Sequence, residues 1–154
     1  MNRVSFIDTS VLCNLVPVPG RAQNQDDVKR EMAERLAHRE RFILPITSVI
    51  ETGNFIAQIQ EGQTRRLTAE KLNEILRLIC EGKAPWVLHD VAWNQHFLGQ
   101  LLDGADTMMT YIEHATNQVG AGDLCIINER LQFEQRSQIR ASIWTLDQGL
   151  GSYS

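Results

Sequence analysis

Asp8, Glu51, Asp123 and Asp147 are the residues of this chain whose types and placement could do chemistry. Each stands where an apolar run gives way to a new segment: FIDTS, TSVIE, GAGD and WTLD. Carboxylate oxygens suit the hard cations Mg²⁺ and Mn²⁺, which prefer oxygen ligands in octahedral geometry. Ions held this way make a nucleophile of water near neutral pH and neutralise charge building on phosphoryl oxygens. Two ions divide the work between the attacking and leaving oxygens. The candidate chemistry is therefore hydrolysis of a phosphodiester, with Mg²⁺ or Mn²⁺ as cofactor. No serine or histidine nucleophile is evident. His38, His89, His96 and His114 lack HxxxH or HExxH spacing, which argues against zinc and for surface or packing roles. Neither GxGxxG nor GxxxxGK[ST] occurs.

Acids so far apart in sequence need a scaffold that brings them together. Val4 to Ile7 reads as a buried strand that turns into a helix through Asp8-Thr9-Ser10, and Pro17 to Gly20 ends that helix. From Asp26 to Arg41 the apolar residues Val28, Met32 and Leu36 recur every four, the mark of an amphipathic helix. Phe42 to Pro45 is a second strand, and Ser48 to Glu51 opens the next helix. Gly62 to Arg66 reads as a polar connection, with Thr68 capping a helix that carries Leu72, Ile75, Leu76 and Ile79. Trp86 to His89 is a third strand. Helical stretches over 91–102 and 106–118 follow, and another starts at Gly120 to Asp123. Ile139 to Leu146 is the last strand, with Asp147 directly after it and a frayed tail beyond Gly149. Strands alternating with helices imply an α/β/α sandwich around a short-stranded, mostly parallel sheet. The strands are apolar without alternation, as expected where both faces are covered. In such a sheet ligands bind beyond the carboxyl ends of the strands, and the spacing of all four acids is consistent with their meeting on that edge.

The 154 residues suit one domain, 1–154, with one core. The net charge of -4 argues against a protein that holds nucleic acid through its overall field. It does not exclude a nuclease, because an acid cluster is itself negative and its ions reverse the local sign. Cys13, Cys80 and Cys125 are odd in number, lack CxxC pairing and sit among apolar neighbours, so free thiols in a reducing cytoplasm are expected. No apolar run approaches the ~20 residues that span a bilayer, and no signal peptide is expected.

FIDTSVL, PITSVIE, GAGDLCII and WTLD, in this order and at these places against the strands, resemble the motifs of the PIN-domain nucleases. The resemblance covers nearly the whole chain, whose size is similar to that of the VapC-type toxins of toxin–antitoxin pairs. It implies a metal-dependent endoribonuclease with Asp8, Glu51 and Asp123 as core metal ligands and Asp147 as a fourth acid. It also implies that the hydroxyls of Ser10 and Thr145 orient a carboxylate or a water. RNA as substrate, a cognate antitoxin and a homodimer follow from the same resemblance. The long stretch from Trp86 to Val119 and the early end after Asp147 depart from the family pattern, and a final edge strand is short or absent.

Plainer readings stand beside each of these. Asp8 and Asp123 could be helix N-caps, Asp147 a turn residue, and Glu51 the partner of Ser48 in an S-x-x-E capping box. Ser10 and Thr145 could satisfy local backbone groups. Arg65 and Arg66 are candidates for contact with RNA phosphate, or else a solvated pair; Trp86, Trp93 and Trp144 read as core or interface. The conjunction of four acids on one sheet edge favours the nuclease. The competing function is a catalytically silent PIN-like scaffold that binds RNA or protein. An aspartyl phosphate on Asp8 is disfavoured, since position 10 is serine and no lysine follows Lys83. Electrostatic repulsion within the cluster further predicts that Asp8→Asn keeps or raises the stability of the metal-free protein.

Overall fold

Four short apolar runs become the strands of one sheet: β1 (Val4–Ile7), β2 (Arg41–Ile43), β3 (Trp86–Val87) and β4 (Ser142–Trp144). The structure, a computed structural model, describes residues 3–153. The strands lie in the order β3-β2-β1-β4 and every pair is parallel. Between β1 and β2 come α1 (Thr9–Leu15) and α2 (Gln25–Ala37), and between β2 and β3 come α3 (Ile46–Ala57) and α4 (Gly62–Cys80). The chain then crosses to the other side of β1 through α5 (Gln95–Leu102), α6 (Tyr111–Thr116) and α7 (Ala121–Ser137), and ends with α8 (Gln148–Gly151).

Side-chain alternation explains why the strands read as apolar throughout. Ile7, Phe42, Trp86 and Trp144 join one buried cluster with Val11, Leu12, Val28, Ile56 and Leu72 from α1 to α4. Phe6, Ile43 and Ile143 point the other way, into a cluster with Leu124, Ile126 and Ile127 of α7 and Leu150 of α8. Register makes these layers: Phe6 lies opposite Ile43 on one side and Ile143 on the other. A period of two with both faces covered leaves no polar positions to alternate. The protein is thus an α/β/α sandwich. Among the described residues no helix is long and apolar enough to cross a membrane.

Several local expectations are corrected. The helix expected from Thr68 begins at Gly62, so Arg65 and Arg66 lie within α4 and not in a connection. Its cap is Glu61, which accepts the amides of Gln63 and Thr64 at 2.9 and 2.6 Å. Thr68 is buried and donates back to the Thr64 carbonyl. The helices expected over 91–102 and 106–118 shrink to α5 and α6, because Ala105, Asp106 and Met108 all adopt positive φ and break the chain between them. The last strand starts at Ser142, leaving Ile139 outside it and 47% exposed. From Leu150 to Tyr153 the chain is not frayed: Leu150 is buried in the α7-side core and Tyr153 packs against it. Cys80 is exposed, and of the tryptophans read as core or interface Trp86 and Trp144 are buried while Trp93 is 65% exposed and lies outside the core.

Ser48 ties the α3 helix to the end of β1. Its fully buried hydroxyl donates to the Ile7 carbonyl at 2.8 Å. Ser48→Ala should lower stability by about 1–2 kcal/mol, the cost of a buried hydrogen bond lost on one side. Urea unfolding checks this, and an unchanged midpoint would show that water or a neighbour replaces the bond.

Candidate active site

β1 and β4 are adjacent strands from which the chain leaves toward opposite faces of the sheet, so their carboxyl ends border the topological switch point where α/β sheets bind ligands. Asp8 follows β1, and its amide continues the ladder by donating to the Trp144 carbonyl at 3.0 Å. It occupies the N-cap position of α1, yet its side chain makes no capping bond. Instead its Oδ2 accepts two hydroxyls, Ser10 Oγ and Thr145 Oγ1, each at 2.7 Å. Those hydroxyls are themselves fixed by backbone amides: Leu146 donates to Ser10 and Asp147 to Thr145, at 3.0 and 2.9 Å. The carboxylate is only 4% exposed and held in one orientation.

Glu51 stands in the second turn of α3. Ser48 lies inside the helix, not at its cap, and is committed to Ile7, so the capping box does not form. Glu51 Oε1 accepts Thr9 Oγ1 at 2.7 Å. Asp123 lies in the first turn of α7, three residues past the actual N-cap Gly120, and caps nothing. Gly122 lets α7 approach: a Cβ there would stand 3.2 Å from Glu51 Oε2. Asp147 does cap, since its Oδ1 accepts the amides of Gly149 and Leu150 at the start of α8. Its second oxygen stays free of the cap.

All four acids line one pocket of about 400 Å³, together with Ser10, Thr9, Arg21 and Phe55. They act on one another: burial first, then the charges of Asp8, Asp147 and Glu51, push Asp123 from its ordinary 3.8 up to about 6. Crowded like charges disfavour ionisation, and a cation among them would relieve it. The donor set therefore fits a hard divalent ion, with Asp8, Glu51, Asp123 and Asp147 as the residues that would hold it. Among the described residues no three acid, histidine or cysteine side chains are grouped closely enough to hold a metal ion as they stand.

Arg65 and Arg66 line no part of this pocket; Arg65 donates to the Ile59 carbonyl and Arg66 pairs with Glu70 one turn on. Of the histidines, His114 is buried and bonded to Thr107, while His38 and His96 are exposed. Thr9, Gly122 and Arg21 belong to the site but carry no sequence signal, because each acts through a partner distant along the chain. Compared with known protein families, curated proteins and solved structures, the chain matches none.

Proposed function

We propose that the chain is a divalent-cation-dependent endoribonuclease acting at the pocket of Asp8, Glu51, Asp123 and Asp147. The observation that carries this reading is that four carboxylates from four separate segments line one pocket at the sheet's carboxyl edge. Their places agree with the motifs of the PIN-domain resemblance. Ser10 and Thr145 support it further, since two hydroxyls on one oxygen orient the Asp8 carboxylate as a ligand needs.

The chemistry that Mg²⁺ or Mn²⁺ supplies when bound is charge neutralisation on the phosphoryl group and acidification of water. The chain's own part is positional. Thr9 holds Glu51 toward the pocket, and the α8 backbone immobilises one oxygen of Asp147. Asp123 must shed its proton to contribute charge, which without an ion requires a pH above about 6. By the same resemblance, we assign the chain as the toxin of a toxin–antitoxin pair in the cytoplasm, a homodimer blocked by a protein antitoxin. Ile46 and Ile50, exposed on α3, offer apolar surface for such a partner.

Purified protein, freed of any partner, should cleave a mixed-sequence RNA panel with Mn²⁺ or Mg²⁺ and leave it intact with EDTA. Thr145→Val should cost about tenfold to a hundredfold, the usual penalty for losing a ligand's outer partner. Equal cleavage with EDTA would reject the reading. Metal binding without cleavage would leave the silent scaffold.

A further inference from the structure

Arg21 is the only basic side chain among the residues that line the acid pocket. Its guanidinium carbon lies 3.5 Å above the ring centroid of Phe55, also a pocket residue. It forms no ion pair among the described residues, although four carboxylates line the same pocket. Its position is built. Val18 anchors the loop in the core, and the Arg21 amide donates to its carbonyl at 3.0 Å. Gly20 turns the chain at φ +80°, and Gln23 closes that turn on the Gly20 carbonyl. Asn14 then ties the loop to the catalytic segment: its Oδ1 accepts the Asn24 amide at 2.9 Å and its Nδ2 donates to the Ser10 carbonyl at 2.8 Å. The residue that orients Asp8 thus also anchors the loop of Arg21.

We propose that Arg21, seated on Phe55, is the phosphate clamp of this site, and that it selects a single RNA strand. This rests on the nuclease reading above. An exposed guanidinium that stays on an aromatic face keeps its planar fork of donors free for a phosphate. The pocket otherwise presents only negative side-chain charge to an anionic strand, so Arg21 supplies the attraction that steers a phosphodiester toward the acids. Asp8 is only 4% exposed and lines the pocket, and a flexible single strand follows a recessed surface more closely than a stiff duplex does. Unpaired RNA can also stack a base on the outer face of the guanidinium.

The test compares wild type, Arg21→Ala and Arg21→Lys, with urea unfolding confirming that all three are folded. Binding of a fluorescein-labelled mixed-sequence RNA, single-stranded or duplex, is followed by anisotropy in EDTA over a range of salt. Single-strand cleavage is measured separately with Mn²⁺. Arg21→Ala should weaken single-strand binding about tenfold and reduce the salt slope by about 0.7, the share of one phosphate contact. KM should rise comparably while kcat moves less than about threefold, the pattern of lost uniform binding. Arg21→Lys should keep the slope and lose part of the affinity, since the charge remains and the fork does not. If wild type cleaves and Arg21→Ala binds with unchanged affinity, slope and KM, the clamp is wrong and the nuclease stands. If wild type cleaves nothing but the slope still falls, the clamp stands and the nuclease reading fails. Equal affinity for duplex and single strand would overturn the selection of a single strand.

Discussion

Asp123→Asn should abolish cleavage and at the same time make the metal-free protein more stable. With Mn²⁺ at pH 8 the rate should fall by more than about a hundredfold, beyond what loss of a ligand's outer partner costs. With EDTA at the same pH, urea unfolding should show a gain of about 1–2 kcal/mol. The gain follows from the raised pKa. Asp123 holds its proton to about pH 6 in the folded chain but releases it near its ordinary value when unfolded. The folded state therefore binds more protons between those values, and stability falls as pH rises through that window. Above pH 6 the whole penalty is present, and asparagine removes it. Two pKa units correspond to about 3 kcal/mol, reduced here because the half-buried side chain is partly screened by water.

Asp8→Asn is the contrasting case. It should lose cleavage to the same degree, yet its stability should stay near wild type, because an asparagine oxygen can accept the Ser10 and Thr145 hydroxyls in place of Oδ2. Loss of activity with folding intact in both variants separates ligation from capping. Unfolding of Asp8→Asn would make Asp8 structural. Cleavage by either variant at the wild-type rate would remove it from the site.

These expectations depend on features that differ in how plainly the chain displays them. The strands are legible because Phe6, Phe42, Ile143 and their neighbours form short apolar runs, and Asp8, Asp123 and Asp147 are legible because each stands at or next to the start of a helix, whereas Glu51 lies in the second turn of α3. What escapes is the identity of the partners. The Ser48 and Glu51 spacing matches a capping box, yet tertiary contacts take both side chains elsewhere, one to Ile7 and the other to Thr9. Gly62 reads as a breaker, but at a first helical position, with Glu61 capping the amides behind it, glycine costs little. Arg21 carries no motif at all. Its meaning comes from Phe55, which reaches it only after α3 folds against α1. Local pattern records burial; it does not record which distant side chain a polar group will find.

Glu129 is the strongest instance, and the largest stability effect outside the pocket should come from it. It lies on α7 with 1% of its surface exposed; it accepts the backbone N–H of Ile46 at the start of α3, and its Oε2 has no partner among the described residues. Burial pushes it from its ordinary 4.5 up to about 7, with the Ile46 bond as a smaller opposing influence. An acid whose folded pKa is raised stabilises least when ionised, so its contribution declines as pH climbs from about 4.5 to about 7 and stays low above. A shift of this size is worth on the order of 3 kcal/mol. Glu129→Gln keeps an acceptor for the Ile46 amide and has no charge to bury. It should match the parent near pH 4.5 and exceed it by about 2–3 kcal/mol at pH 8 in EDTA. Asp123 titrates in an overlapping window, so the comparison belongs in the Asp123→Asn background, where the remaining slope is assigned to Glu129. If Glu129→Gln leaves that slope unaltered, the carboxyl is ionised throughout and some unrecognised cation or water must reach its Oε2. If the slope disappears while metal-dependent cleavage by Glu129→Gln alone persists, the buried acid of α7 that meets the start of α3 is separate from the chemistry proposed for Glu51.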